Sequence, residues 1–253
     1  MTEEQIKNIS CVIIVKNAEL TITKTLDSLK QFQDVVVYSN ISTDKTEEIA
    51  KSYKNVNLVQ GDFIGFGQTK NFAASFAKHD WILSLDADEV LSDDFIFNLK
   101  KENLKENCTY SILRTNYYKQ TQVKYCWGND IILRVYNKNK TAFTDKKVHE
   151  KIMQDGLDTS FIAGAIKHYP YSSIADFIIK IDRYSTMYAN DNVGKKNSSP
   201  LKAILNGLFS FFKTYIIKRG FLDGYAGLVI AFSHMATNFY KYIKLYELNK
   251  LLE

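Results

Sequence analysis

Cysteine is scarce in this sequence and never clustered. Its 253 residues include three, Cys11, Cys108 and Cys126, with no C-x-x-C among them. An odd, scattered set excludes a disulfide framework and a zinc-ribbon arrangement, and it fits a reducing compartment. Proline is scarcer still, with two residues, and no low-complexity tract or internal repeat is present. The opening MTEEQIKN is polar and predicts no signal peptide. The longest uncharged run, Gly224 to Tyr240, contains Ser233, His234, Thr237 and Asn238. It is too short and too polar for a membrane span and predicts an interfacial or core helix. No G-x-x-x-x-G-K-[ST] occurs, which excludes a P-loop NTPase, and Gly65-Phe66-Gly67 falls short of a dinucleotide fingerprint.

What is present is enough for a full core. Hydrophobic residues make up 45% and charged residues 24%, the balance of a globular chain. The net charge of +5 is too small to argue for nucleic acid by itself. Its distribution says more. Lys195 to Gly220 carries basic residues and no acid, and many of the 16 Tyr and 16 Phe lie after residue 170. Basic charge mixed with aromatics near one end points to an anionic surface, a membrane or a nucleic acid.

The chain opens on alternating strand and helix patterns. SCVIIVK (Ser10–Lys16), VVVY (Val35–Tyr38), Val56–Val59 and Trp81–Leu85 read as buried strands. Helical spacing separates them, through Ile22, Leu26 and Leu29, then through Ile49, Ala50 and Tyr53, then through GQTKNFAASFA. Asp44 with Glu47 three residues on predicts a capping box. This alternation implies a parallel sheet with helices on both faces. After Glu89 the rhythm changes. Ser92 starts a helix, and β patterns at Thr109–Tyr118 and Ile131–Tyr136 have no clear helix between them, so the second half is expected to be partly antiparallel. Long helices follow: Ser172 to about Asn190, one capped by Ser199 with Pro200 at its first position, and one from Gly224 to Leu252.

Trp81 to Leu91, WILSLDADEVL, carries the chemistry. An apolar run meets Asp86, Asp88 and Glu89, and ligands of an open α/β sheet sit beyond the carboxyl ends of its strands. Two carboxylates one residue apart can share a divalent cation with substrate phosphates. Capping of the next helix is the other reading of the pair. Asn17, residues 39–44, residues 62–70 and residues 86–89 are expected to converge on that same sheet edge, where a phosphate-bearing ligand fits.

The runs VIIVKNAE, YSNISTDKTEEIA, GFGQTKNFA and LSLDADE resemble the nucleotide-sugar-binding half of family-2 glycosyltransferases of the GT-A fold. IILRVYNKNKTAF, KKVHEKI, HYPYSS and KRGFLDGYAGL with KYIKLYE resemble a bacterial subgroup that adds hexoses, often glucose, to the inner core of lipopolysaccharide or lipooligosaccharide. The resemblance spans about residues 9 to 247. It implies an α/β chain with a GT-A type, Rossmann-like, mostly parallel sheet and a C-terminal helical extension. The expected division is a catalytic domain over 1–170 and a helical, membrane-associated region over 171–253. The implied activity is an inverting, metal-dependent transfer from a UDP-sugar, expected to be UDP-glucose, to a glycolipid acceptor. No nucleic acid is expected as a partner. The expected location is cytoplasmic and peripheral, at the inner face of the bacterial inner membrane.

The same resemblance implies roles. Asp88 holds Mg²⁺ or Mn²⁺ and Asp86 contacts the ribose or donor sugar. Asn17, Ser39, Asn40, Asp44 and Lys70 complete the nucleotide-sugar site, with Lys70 facing the diphosphate or, on its other reading, simply an exposed lysine at a helix start. Glu150 is the first candidate for the base that deprotonates the acceptor, and Asp130 is the second. His149 is a candidate metal ligand, with a structural hydrogen bonder as its other reading. Arg134 pairs with a carboxylate near the site or with a surface acid. The family loop D-N-G-S-T-D reads Ser39-Asn40-Ile41-Ser42-Thr43-Asp44 here. Ser39 without a charge should weaken the hold on the base, and Ile41 in place of glycine should divert the loop, which would make Asn40 the base contact. Two alternatives follow: a degenerate, non-catalytic sugar-nucleotide-binding protein, and a nucleotidyltransferase.

Overall fold

Strand β1 (Ile9–Val15) is apolar at almost every position because both of its faces are covered. Side chains alternate across a strand. Cys11 and Ile13 therefore join one apolar cluster while Val12 joins the other. The computed structural model describes residues 4–145 and 150–252. These form two compact units, one of residues 1–115 and 129–169, the other of 116–128 and 170–253.

In the first unit β1 pairs in parallel with β2 (Asp34–Ser39) and β4 (Trp81–Asp86), and β3 (Val56–Gln60) pairs in parallel with β2. Helix α1 (Glu4–Lys7) precedes β1. Helix α2 (Ile22–Ser28) places Ile22 and Leu26 on the Cys11–Ile13 face, and α3 (Thr46–Lys51) adds Ala50 there. Helix α4 (Phe66–Ser75) covers the Val12–Val36 face with Ala73 and Ala74. Helices on both faces explain why these strands read as continuous apolar runs.

The sheet changes character beyond β4, as the sequence rhythm predicts. After β5 (Glu89–Leu91) and the Ser92-capped α5 (Asp93–Lys101) come β6 (Cys108–Tyr118), β7 (Thr121–Gln122), β8 (Asn129–Asn137) and β9 (Asp158–Tyr171). The order is β3-β2-β1-β4-β8-β6-β9-β5, with β8 antiparallel to β4 and β6, and β5 antiparallel to β9. β9 is absent from the sequence reading, since Gly164 and Pro170 interrupt its pattern. Gly164 is required there: its φ is +106°, and a Cβ would lie 2.4 Å from the Phe95 backbone.

The second unit holds α6 (Ile174–Asn192), α7 (Pro200–Phe212), a π-helical turn (Lys213–Ile217), a 3-10 turn (Gly220–Asp223) and α8 (Gly224–Lys250). Ser173 and Asp176 form a reciprocal capping box on α6, and Ser199 caps α7 ahead of Pro200. The unit also takes in residues 116–128, which the sequence groups with the N-terminal domain. The Asp223 carboxylate fixes that arm by accepting from the backbone N–H groups of Lys124, Tyr125 and Cys126 at 2.8–3.2 Å. Among the described residues no helix is long and apolar enough to cross a membrane.

Candidate active site

The carboxyl ends of β1, β2, β3 and β4 lie in register. Ile14 is opposite Asp86, Val15 is opposite Ser39, and Ser39 is opposite Gln60. The loops that follow these strands therefore meet at one edge, as the sequence predicts.

Asp86 to Glu89 form a tight turn in which the Asp86 backbone N–H donates to Glu89 Oε2 at 3.1 Å. The Ala87 carbonyl accepts from the Thr25 hydroxyl, and the Asp88 carbonyl accepts from the Tyr169 N–H. The turn thus closes on itself and does not cap α5, whose N-cap is Ser92. Asp86 meets two cations. Arg134 Nη2 lies 2.8 Å from its Oδ2 and Lys70 Nζ lies 3.2 Å from its Oδ1. Burial pushes the Asp86 carboxyl up, but Arg134 and Lys70 outweigh it and hold the group well below the usual carboxylate range. Glu89 is fully buried and accepts from the same Arg134 guanidinium, with Arg114 Nη1 3.5 Å away. Burial pushes its carboxyl up. Of the two partners expected for Arg134, a carboxylate near the site or a surface acid, it takes the first, and its second carboxylate, Glu89, has no role among the sequence expectations.

Lys70 is buried on α4 and bridges two carboxylates, since it also donates to Glu150 Oε1 at 3.0 Å. Gly67 makes this approach feasible: a Cβ there would lie 1.9 Å from the Thr144 carbonyl. Asn71 ties the same helix to Phe143, donating to its carbonyl and accepting from its N–H. Glu150 therefore stands beside Asp86 across one lysine. Asp130 is separate: it pairs with Arg114 Nη2 at 2.9 Å, directly across the β6–β8 ladder.

Asp88 is next to a histidine the sequence reading passes over. His168 Nε2 lies 3.6 Å from Asp88 Oδ2, because β9 pairs His168 opposite Glu89. Its sequence signal was the HYPYSS run, which carried only the family resemblance. His149 lies outside the described residues. Among the described residues no three metal-ligating side chains cluster. The carboxylates Asp86, Asp88, Glu89, Asp130 and Glu150 outnumber the cations Lys70, Arg114 and Arg134 by two. A carboxylate, an imidazole and that negative excess suit a divalent cation that substrate phosphates also coordinate.

The loop after β2 departs from expectation. Asn17 accepts from the Thr43 N–H at 2.8 Å, and its own N–H donates to Ser42 Oγ. Asp44 accepts from the Glu19 N–H and from Thr46, so it stitches the β1 and β2 loops together. The Asn40 N–H donates to the Val15 carbonyl. Ser39 is 0% exposed, and its hydroxyl donates to Glu47 Oε1 at 2.7 Å. Glu47 also accepts from the Ser42 N–H and from Gln60. The capping box predicted for Asp44 and Glu47 is therefore absent, because Glu47 reaches back to Ser39 and away from its helix end. Those bonds, the one from Ser39 first, hold the Glu47 carboxyl below its ordinary range. Ile41 sits at φ +44°, the left-handed region a glycine would take. A β-branched residue thus holds a backbone conformation that glycine takes freely, at a cost of about 1–3 kcal/mol.

Comparison with known proteins adds to this geometry. The model of Glycosyl transferase family 2 matches residues 10–156. An uncharacterized glycosyltransferase of Rickettsia typhi is 30% identical over 96% of this chain and 88% of its own length. The lipopolysaccharide core biosynthesis glycosyltransferase LpsC of Rhizobium meliloti is 25% identical over 88% of this chain and 89% of its own. The structure of S. aureus TarS residues 1–349 with UDP-GlcNAc aligns with 97% of this chain and 91% of its own, at 16% identity and a TM-score of 0.48.

Proposed function

The chain belongs to glycosyl transferase family 2 and is a glycosyltransferase, and we propose that it moves a hexose, glucose by expectation, from a UDP-sugar to a lipopolysaccharide or lipooligosaccharide core acceptor with inversion. The observation that carries this reading is the Asp86–Glu89 turn at the end of a buried parallel strand. One of its carboxylates is paired with Lys70 and Arg134, and another faces His168. The core-acceptor assignment draws on the similarity to LpsC. We place the enzyme at the cytoplasmic face of the inner membrane, where such an acceptor is exposed.

Asp88 and His168 are the residues to hold Mg²⁺ or Mn²⁺. A divalent cation there supplies positive charge to the departing diphosphate. Lys70 adds a fixed positive charge next to Asp86, whose carboxylate contacts the ribose or donor sugar. Glu150 takes the acceptor hydroxyl proton as general base. Lys70 holds it through Oε1, which orients the carboxylate for proton transfer at Oε2. Asp130 is the second candidate, held by Arg114 through Oδ2. Glu47 presents the carboxylate to the nucleobase in the place of Ser39, while Asn17 and Asp44 shape the loop. Against the non-catalytic alternative, Glu47 offers a carboxylate beside Ser39, and Ile41 sits at a positive φ open to glycine. Family membership sets the nucleotidyltransferase aside.

The test is a panel of UDP-sugars offered with a core glycolipid, each with Mn²⁺, with Mg²⁺ and with chelator. Metal-dependent UDP release with UDP-glucose is expected. Turnover undiminished by chelator removes the metal. Turnover confined to a different UDP-sugar replaces glucose as the donor.

A further inference from the structure

Helix α7 is built with its small residues inward. At 3.6 residues per turn, Ala203, Gly207 and Thr214 share one side of α7 and the π-turn that extends it, and all three are buried. A Cβ on Gly207 would lie 3.3 Å from both the Met235 carbonyl oxygen and Phe239 Cβ, so α7 and α8 approach almost backbone to backbone. The large apolar residues take the opposite side. Leu201, Ile204, Leu205, Leu208, Phe209 and Phe212 span an arc of roughly 140° and are all exposed, Phe209 by 60%. The arc does not end with the helix. Phe211 packs on Tyr215 and on Phe232, and Tyr215 packs on Phe221. A contiguous apolar face of this kind marks an interaction site.

Charge identifies the occupant. From Asn192 to Leu222 there is no acidic residue, while Lys195, Lys196, Lys202, Lys213, Lys218 and Arg219 are all exposed. Lys202 and Lys213 lie on the same edge of the apolar arc. A second copy docked through this face would bring like charges together across a two-fold axis. An anionic bilayer complements them, each lysine near its surface strengthening binding several-fold. No described helix is long and apolar enough to span, so the helix lies in the plane of the interface.

We infer that the outer face of α7, from Leu201 to Phe212, docks this protein onto an anionic lipid surface, with Lys202 and Lys213 at the headgroups. The inference deepens the membrane-face location proposed above and rests on it, though not on the reaction. The experiment is flotation of the full chain with phosphatidylethanolamine–phosphatidylglycerol vesicles and with phosphatidylcholine vesicles. Alongside it run Phe209→Glu, the pair Lys202→Ser with Lys213→Ser, sedimentation, and UDP release. Wild type should float with the anionic vesicles alone. Phe209→Glu should abolish flotation, and the lysine pair should weaken it roughly thirtyfold, both with unchanged circular dichroism. Flotation that survives Phe209→Glu, or no flotation at low salt, overturns the inference. So does a wild-type dimer that Phe209→Glu dissolves, since a second copy would then cover the face. If flotation fails while UDP release persists, the docking face falls and the transferase reading stands. If flotation succeeds without UDP release under any donor, the reverse holds.

Discussion

His168 Nε2 lies 3.6 Å from Asp88 Oδ2, a pairing made across the β5–β9 ladder by residues eighty positions apart in the chain. If these two hold the divalent cation, Asp88→Asn removes the charge that binds it and leaves the shape. Turnover should fall below about a tenth of wild type, a barrier increase of more than ~1.4 kcal/mol. His168→Gln should weaken Mn²⁺ binding by at least the roughly 10–100-fold typical of losing an outer partner of a metal ligand. Paramagnetic resonance of Mn²⁺ titrated into the purified variants reads this without turnover. Unchanged Mn²⁺ affinity in His168→Gln would reduce His168 to a hydrogen-bonding neighbour of Asp88.

The choice of base is a comparison of two carboxylates. Glu150→Gln should lower kcat by about 10²–10⁴-fold with little change in UDP affinity, the range for general base catalysis. Asp130→Asn should cost far less. The opposite ranking moves the base to Asp130.

Arg134 holds two carboxylates, one of them fully buried. Arg134→Met leaves Glu89 in the interior without its closest cation, and removing one partner of a buried pair costs about 3–5 kcal/mol. Urea unfolding should show that loss. Glu89→Gln with Arg134→Met should recover part of it, because the double variant buries no unpaired charge. A loss under ~1 kcal/mol for Arg134→Met, the scale of exposed pairs, would contradict the burial argument.

Glu47→Gln should weaken UDP binding about five- to tenfold, the difference between a charge-assisted and a neutral hydrogen bond. Ser39→Asp should bring no gain, since it sets a second carboxylate against Glu47, which Ser39 now contacts at 2.7 Å. Calorimetric titration of UDP with Mn²⁺ present measures both. Tighter binding by Ser39→Asp, with Glu47→Gln unchanged, would return the base contact to position 39.

His234 gives the C-terminal helices a pH dependence. Burial, reinforced by Lys218 and Lys241, lowers its imidazole to about 4, and Thr214 Oγ1 lies 3.0 Å from Nδ1. A depressed folded value means the unfolded chain binds the proton more readily. The contribution is therefore complete above the unfolded value of about 6.5 and is lost as pH falls toward 4. The loss should reach about 3 kcal/mol by pH 4, at ~1.4 kcal/mol per pH unit. Urea midpoints of wild type and His234→Gln across that window should converge on acidification. Parallel curves would show that other groups carry the dependence.

Much of this was legible in the sequence because it is local. Buried parallel strands are continuous apolar runs, so β1, β2 and β4 declare themselves, and strand order then carries Asp86 and Asp88 to the sheet edge. Ser199 before Pro200 and the apolar side of α7 are likewise readable from spacing. Tertiary structure alone decided three things. It brought His168 to Asp88, because β9 is interrupted by Gly164 and Pro170 and its register against β5 depends on a partner far away in the chain. It turned Glu47 from its helix end to Ser39, because a carboxylate close to a buried hydroxyl and two N–H donors gains more there than at a solvated cap. It also set the apolar side of α7 outward: the sequence shows that a stripe exists, but only the close approach of Gly207 to α8 shows that the other side is the one packed.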